Sequence, residues 1–181
     1  MTTLIKHSIL TLALLAVPGT VSAQRVPHAD SAAVGGDVGV FIPRDDALKW
    51  GPALEGFYDY YFSARNSVRI GLGWMKPRFD PSEQDSVRYL RVPVDVVHNW
   101  EGGAVHPFVG AGLGVYFLQR QHSGDNVGES ETKLGGTLFG GVEFFTDRTV
   151  SFKIEGRYHA VRRASIEPDG LSLTVGLKKY F

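Results

Sequence analysis

The chain has 181 residues, with 19 basic and 19 acidic side chains and no cysteine. The balance of charge removes the basic stripe that a nucleic-acid binder needs, so no nucleic-acid partner is expected. The lack of cysteine removes disulfides, thiol catalysis and thiolate metal sites together, and the length suits one domain.

Residues 1–23 read as a secretory signal peptide. Lys6 supplies the positive start, Ile9 to Val17 the apolar stretch, and Val21-Ser22-Ala23 the small residues before a cut at Gln24. The alternative is an uncleaved membrane anchor, but the apolar stretch is well short of the ~20 residues that cross a bilayer as a helix. Residues 24–181 are then one exported domain. Without disulfides it needs another source of stability, and a closed hydrogen-bonded barrel in lipid supplies one.

Eight segments of period two follow. The first, about Val34 to Ile42, sets Val34, Val38, Val40 and Ile42 on one face and Asp37 and Phe41 on the other. The second, Ala53 to Phe62, sets Leu54, Tyr58, Tyr60 and Phe62 against Glu55, Phe57, Asp59 and Tyr61. In the third, Val68, Ile70, Leu72 and Trp74 alternate with Arg69, Gly71, Gly73 and Met75. The fourth places Leu90, Val92, Val94 and Val96 against Tyr89, Arg91, Pro93 and Asp95. Pro93 removes a ladder bond there and implies a bulge.

The fifth, Val105 to Phe117, sets Val109, Ala111, Leu113, Val115 and Phe117 against Phe108, Tyr116 and a run of glycines. The sixth opposes Leu134, Leu138, Val142 and Phe144 to Thr137, Phe139 and Glu143. In the seventh, Val150, Phe152, Ile154 and Tyr158 alternate with Ser151, Lys153, Glu155, Arg157 and His159. The eighth sets Leu171, Leu173, Val175, Leu177 and Phe181 against Ser172, Thr174, Lys178 and Tyr180.

The connections Ser63–Asn66, Asn99–Ala104 and Thr146–Thr149 are short. Pro77–Ser86, Gln119–Thr132 and Arg162–Asp169 are longer, polar loops, and Arg44–Lys49 is the weakest member of that set. Short turns at one end and long loops at the other, with an even strand number, describe an all-β, eight-stranded antiparallel up-and-down transmembrane β-barrel. Average hydropathy is blind to such strands, because only every second residue meets lipid.

One parity carries Asp37, Glu55, Asp59, Arg69, Arg91, Asp95, Glu143, Lys153, Glu155, Arg157 and Lys178, six acids against five bases. Facing lipid, each Arg or Lys at mid-membrane would cost about 2–4 kcal/mol. Five of them would consume the ~5–15 kcal/mol net stability of an ordinary domain. These residues therefore make a polar lumen network of paired ions, with interior Gly71, Gly73, Gly110, Gly112, Gly114, Gly141 and Gly176 giving room for it. The outward parity ends in aromatics at two levels: Trp74, Phe117 and Tyr158 at the outer rim, and Tyr60, Phe62, Phe144, Phe152 and Phe181 at the periplasmic rim. These are the expected membrane-interface aromatics. A soluble, lipocalin-like carrier would share the strand number with the opposite sidedness.

The motifs Arg91-Val-Pro-Val-Asp-Val96, Phe108-Val-Gly-Ala-Gly-Leu-Gly114 and Leu171-Ser-Leu-Thr-Val-Gly-Leu-Lys-Lys-Tyr-Phe181 carry a resemblance that covers nearly the whole exported chain. It resembles the bacterial outer-membrane β-barrel superfamily, the small eight-stranded OmpA/OmpX-like kind of Gram-negative cells. The resemblance implies an integral outer-membrane location, contacts with outer-membrane lipid and lipopolysaccharide, and a terminal aromatic read by the barrel assembly machinery. Lys179 departs from that ending, where an apolar or aromatic residue is usual; at the rim its ammonium can snorkel.

The function expected is non-enzymatic, structural or adhesive, carried by the outer loops of a monomer, with no cofactor. A narrow porin-like pore for ions or small solutes is the alternative. A lipid A-modifying enzyme is a third. Barrels of that activity resemble this chain and carry a His followed two residues later by a Ser, but here Val161 follows His159 at that spacing and Ser165 is too far along. Gly110-x-Gly112-x-Gly114 lacks the spacing and helix of a dinucleotide loop. His98 and His106 read as interfacial. Asp125, Glu129 and Glu131 read as a solvated loop rather than a cation site, and Arg162-Arg163 as a contact to lipid phosphates.

Overall fold

The structure, a computed structural model, describes residues 27–80, 84–100, 103–161 and 168–181. The expected signal peptide, Arg162-Arg163 and Ser165 lie outside the described residues.

Eight long strands form among the described residues: β1 Ala32–Pro43, β2 Gly51–Tyr61, β3 Asn66–Met75, β4 Asp85–Asn99, β5 Val105–His122, β6 Asp125–Phe145, β7 Val150–Val161 and β8 Gly170–Tyr180. Each pairs antiparallel with its chain neighbours, and β1 pairs with β8 from Ala33 opposite Tyr180 to Pro43 opposite Gly170. Mutual backbone bonds between Ala32 and Phe181, at 3.2 and 3.0 Å, carry that seam to the chain's end. The cylinder is closed, so no sheet edge meets lipid, which cannot satisfy unpaired backbone groups.

The two parities separate as the sequence pattern requires. Leu113, Leu138 and Leu177 stand 74%, 67% and 60% exposed on the outside, while Asp59, Asp95 and Arg69 are almost wholly enclosed. Among the described residues no helix is long and apolar enough to cross a membrane.

The structure departs from the sequence pattern in three details. The polar segment Gln119–Thr132 is mostly not a loop. Strands β5 and β6 continue through it to a two-residue turn at Ser123-Gly124, with φ of 51° and 93°. Positive φ at both positions matches the twist of a tight hairpin, and glycine supplies the second without a Cβ penalty. A register shift between Leu118 and Arg120 interrupts this extension. Second, Leu48–Lys49 and Arg78–Phe79 pair with each other, tying together two connections expected to be loops. Third, Pro93 makes no bulge. The β3–β4 ladder skips Gly71 and Leu72 but resumes in the same register, Ile70 opposing Val94 before the gap and Gly73 opposing Arg91 after it, with the proline ring accommodated beside Gly71 and Gly114. A side-chain carbon on Gly71 would lie 3.4 Å from Pro93 Cγ.

Candidate functional site in the barrel lumen

Cross-strand register builds the lumen network. Asp59 on β2 opposes Arg69 on β3, Arg69 opposes Asp95 on β4, and Glu143 on β6 opposes Lys153 on β7. Side chains opposed across a ladder share a face, so each of these pairs is delivered together to the interior.

At the centre stands Glu155 of β7. It accepts hydrogen bonds from Arg69 Nη1 at 3.0 Å, Lys153 Nζ at 2.8 Å and Arg157 Nε at 2.8 Å. Arg69 grips Asp59 with two bonds, Nε to Oδ1 at 2.7 Å and Nη2 to Oδ2 at 3.1 Å. Lys153 also meets Asp37 at 2.7 Å. Arg157 Nη1 reaches Asp95 at 2.6 Å, and Thr137 donates to the other oxygen of that carboxylate at 3.1 Å. Arg91 pairs with Glu55. Towards the short-turn end, Lys178 bridges Asp59 at 2.7 Å and the Tyr61 hydroxyl at 2.6 Å, while Ser151 and Tyr180 donate to Glu143.

All eleven charged residues of the inward parity thus face the lumen, and among them only Glu55 is not fully buried. Burying one such ion alone costs several kcal/mol, and it is tolerable only where partners satisfy it.

Three inward phenylalanines, Phe57, Phe108 and Phe139, complete the centre. The Arg157 guanidinium lies 3.8 Å from the ring centre of Phe139, and Arg69 4.2 Å from that of Phe57. Lys153 also faces Phe57, at 4.5 Å. A ring face is attractive to a desolvated cation, so these contacts offset part of the burial cost. Their parity placed them inward in the sequence; their pairing with cations needed the third dimension. The interior glycines act by absence. A side-chain carbon on Gly176 would fall 1.8 Å from Asp37 Oδ1, and one on Gly112 would fall 2.0 Å from Asp95 Oδ1.

The ends of the lumen differ from its middle. At the long-hairpin end Phe41, Leu48, Ala53, Met75, Val87, Tyr89, Tyr116 and Leu118 pack into an apolar cap. At the short-turn end Ala33, Tyr61, Phe145 and Tyr180 form a smaller cluster. Alternation alone does not reveal the cap. Three of its eight members, Leu48, Val87 and Leu118, lie outside the bounds read from alternation.

His159 lies just beneath the cap. Its Nε2 is 2.8 Å from Ser172 Oγ and its Nδ1 3.0 Å from the Tyr116 hydroxyl. A serine does stand beside this histidine, from β8 rather than from two residues along. The pair is enclosed, His159 being 1% exposed and set edge-on against Phe41. His106 is not interfacial as expected: it points inward, buried, donating from Nε2 to the Gly103 carbonyl at 2.9 Å and packing on Phe145. His98 faces outward against Trp100. Asp125 opposes His122 in the β5–β6 hairpin, and among the described residues no three acidic or histidine side chains converge to hold a metal.

On the outer surface Trp74, Phe117 and Tyr158 lie towards the long-hairpin end. Tyr60, Phe62, Phe144, Phe152 and Phe181 lie at the short-turn end, with the Phe144 and Phe152 rings 6.4 Å apart. Trp50 and Trp100, 66% and 45% exposed, join the two levels. Trp50 shares the outward parity of Leu54 and lay just ahead of the segment read as a strand. Lys179 donates to Thr149 Oγ1 at 2.8 Å.

A closed eight-stranded cylinder with an apolar exterior and an ionic interior defines a small transmembrane β-barrel of the up-and-down kind. The chain belongs to the outer membrane protein beta-barrel domain family, whose model matches residues 9–178. Similar solved structures include the N-terminal β-barrel domain of OprF from Pseudomonas aeruginosa, 13% identical, covering 86% of this chain and 100% of that one with a TM-score of 0.64. Neisserial surface protein A is 13% identical over 84% of this chain and 98% of that one, at a TM-score of 0.64. Ail, the attachment invasion locus protein of Yersinia pestis, is 16% identical over 86% and 100%, at 0.57. At these identities the likeness is one of fold. No curated protein matches the chain.

Proposed function

We propose that this outer-membrane barrel is non-enzymatic and non-conducting, a monomeric scaffold that presents its long-hairpin end outside the cell for structural or adhesive contact. The observation that carries the reading is the filled lumen: an interlocked ionic centre beneath an apolar cap. An ion entering such an interior would have to break paired charges and then cross an apolar layer. Single-channel recording in planar bilayers tests this. Silence is expected; a steady, reproducible current would establish the pore reading in its place.

The adhesive part rests on the β5–β6 hairpin. β7 leaves β6 at Gly135, opposite Val161, and β6 runs outward from there to Asp125. At ~3.3 Å per residue this projection is on the order of 30 Å along the strand. Replacing Gln119–Thr132 by a short turn is expected to leave the barrel folded while removing attachment of expressing cells to coated surfaces. Undiminished attachment would contradict it.

In this reading residues 1–23 are a cleaved export signal, the two aromatic levels sit at the bilayer interfaces against lipid and lipopolysaccharide, and Phe181 is presented to the assembly machinery. The lipid A-modifying alternative is disfavoured by the enclosed position of His159 and Ser172. Mass spectrometry of lipid A from expressing cells would show an altered acyl pattern if that alternative held.

A further inference from the structure

Just above the lipid-facing wall at the long-hairpin end, two cations are set directly against each other. Met75 opposes Tyr89 and Arg78 opposes Ser86, a register that puts Lys76 opposite Arg88. Met75 and Tyr89 are enclosed in the lumen, so the pleat turns Lys76 and Arg88 outward. Exposed Arg78 lies two residues further along the same face. Among the described residues none of the three has a carboxylate partner. Like charges opposed across a ladder are destabilising unless an anion lies between them.

The surface beneath has a matching shape. One step down the same strands, Trp74 opposes Leu90 on the lipid-facing parity. Beside them is a groove of about 400 Å³ walled by Val38, Leu54, Leu72, Trp74 and Leu90. Its floor is Gly36 opposite Gly56, and a side-chain carbon on Gly56 would meet nothing within 4 Å.

We propose that Lys76 and Arg88, joined by Arg78, bind the phosphate of a membrane lipid whose acyl chain lies in the Gly36–Gly56 groove. The ligand class is a phosphate-bearing lipid of the leaflet at the long-hairpin end. Charge selects the headgroup, and the apolar groove running towards mid-membrane accepts what is attached to it. The site depends on which parity meets lipid and goes beyond the sealed-lumen reading. A conducting barrel would overturn that reading and leave this site in place.

The test is retention of lipid on the purified full chain in detergent, read by native mass spectrometry. The probes are hexa-acylated lipid A with its phosphates and the same lipid after their removal. Two cations near an anionic surface correspond to about a thirtyfold preference for the phosphorylated form. Lys76→Gln with Arg88→Gln should abolish that preference. Gly56→Leu, which fills the groove, should weaken both lipids alike. A heat-dependent gel shift confirms that each variant is folded. Equal retention of the two lipids by the wild type, or an undiminished preference in the double variant, would overturn the proposal.

Discussion

The middle and the long-hairpin end of the lumen lie within one cylinder but are stabilised by opposite means. In the middle, Glu155 holds three cations, and each of those cations holds another carboxylate or an aromatic face. At the end, Phe41, Met75, Tyr89 and Leu118 pack as an ordinary apolar core. The difference teaches that inward does not mean polar in a small barrel. Ions are placed where cross-strand partners can meet them, and the layer that closes the cylinder is apolar.

The two regions should fail differently. The largest loss is expected from Glu155→Gln, which leaves Arg69, Lys153 and Arg157 short of a negative partner. Removing one member of a buried pair costs about 3–5 kcal/mol, read from urea unfolding in lipid vesicles. A cost below about 1 kcal/mol would show that the network is looser than its distances imply. In the cap, Met75→Ala or Leu118→Ala should cost about 2–3 kcal/mol through lost packing and a residual cavity. Combining a cap change with Glu155→Gln should give nearly additive losses, since the two layers share few partners.

Smaller is Gly176→Ala. The new carbon would meet Asp37 Oδ1 and a neighbouring backbone oxygen, so overpacking of about 1–3 kcal/mol is expected. Gly56→Ala, on the outer wall with open space around it, serves as the control and should fall within about 1 kcal/mol.

The smallest effect belongs to the short turn after β6. There Asp147 accepts from the backbone N–H of Thr149 at 2.6 Å and of Val150 at 2.9 Å. These bonds, the Thr149 bond foremost, hold its carboxyl below the usual range. A depressed carboxyl stabilises the fold above the ordinary Asp value, and that contribution fades as pH falls through the folded one. Asp147→Ala should therefore weaken the barrel slightly at pH 7 and have no effect once the carboxyl is protonated in both states. Refolding midpoints at the two extremes check the sign.

Much of this architecture was legible because a strand's period of two is simple and lipid is an intolerant solvent. Val92, Val94 and Val96 alternating with Arg91 and Asp95 leave one sensible orientation once the charges must be hidden. The short turns at Ser63–Asn66 and Thr146–Thr149 ordered the strands. What escaped was everything set by partners distant in sequence. Leu48 gives no strand signal alone, yet it joins the cap because Lys49 and Leu48 pair with Arg78 and Phe79. The β5–β6 extension, from Gln119 to Thr132, is polar on both faces outside the bilayer, so alternation vanishes there although the ladder continues. Ser123-Gly124 was its one local mark. Ser172 beside His159 was hidden for the same reason: thirteen positions apart in the chain, they meet only across the β7–β8 ladder.

Sidedness is open to direct measurement because the chain has no cysteine of its own. A spin label on Leu138→Cys or Leu173→Cys, in protein refolded into vesicles, can be relaxed by oxygen dissolved among acyl chains or by a water-soluble nickel chelate. Relaxation dominated by oxygen at both positions is the predicted result. Dominance of the nickel chelate at either would place that wall in water and contradict the membrane-spanning barrel.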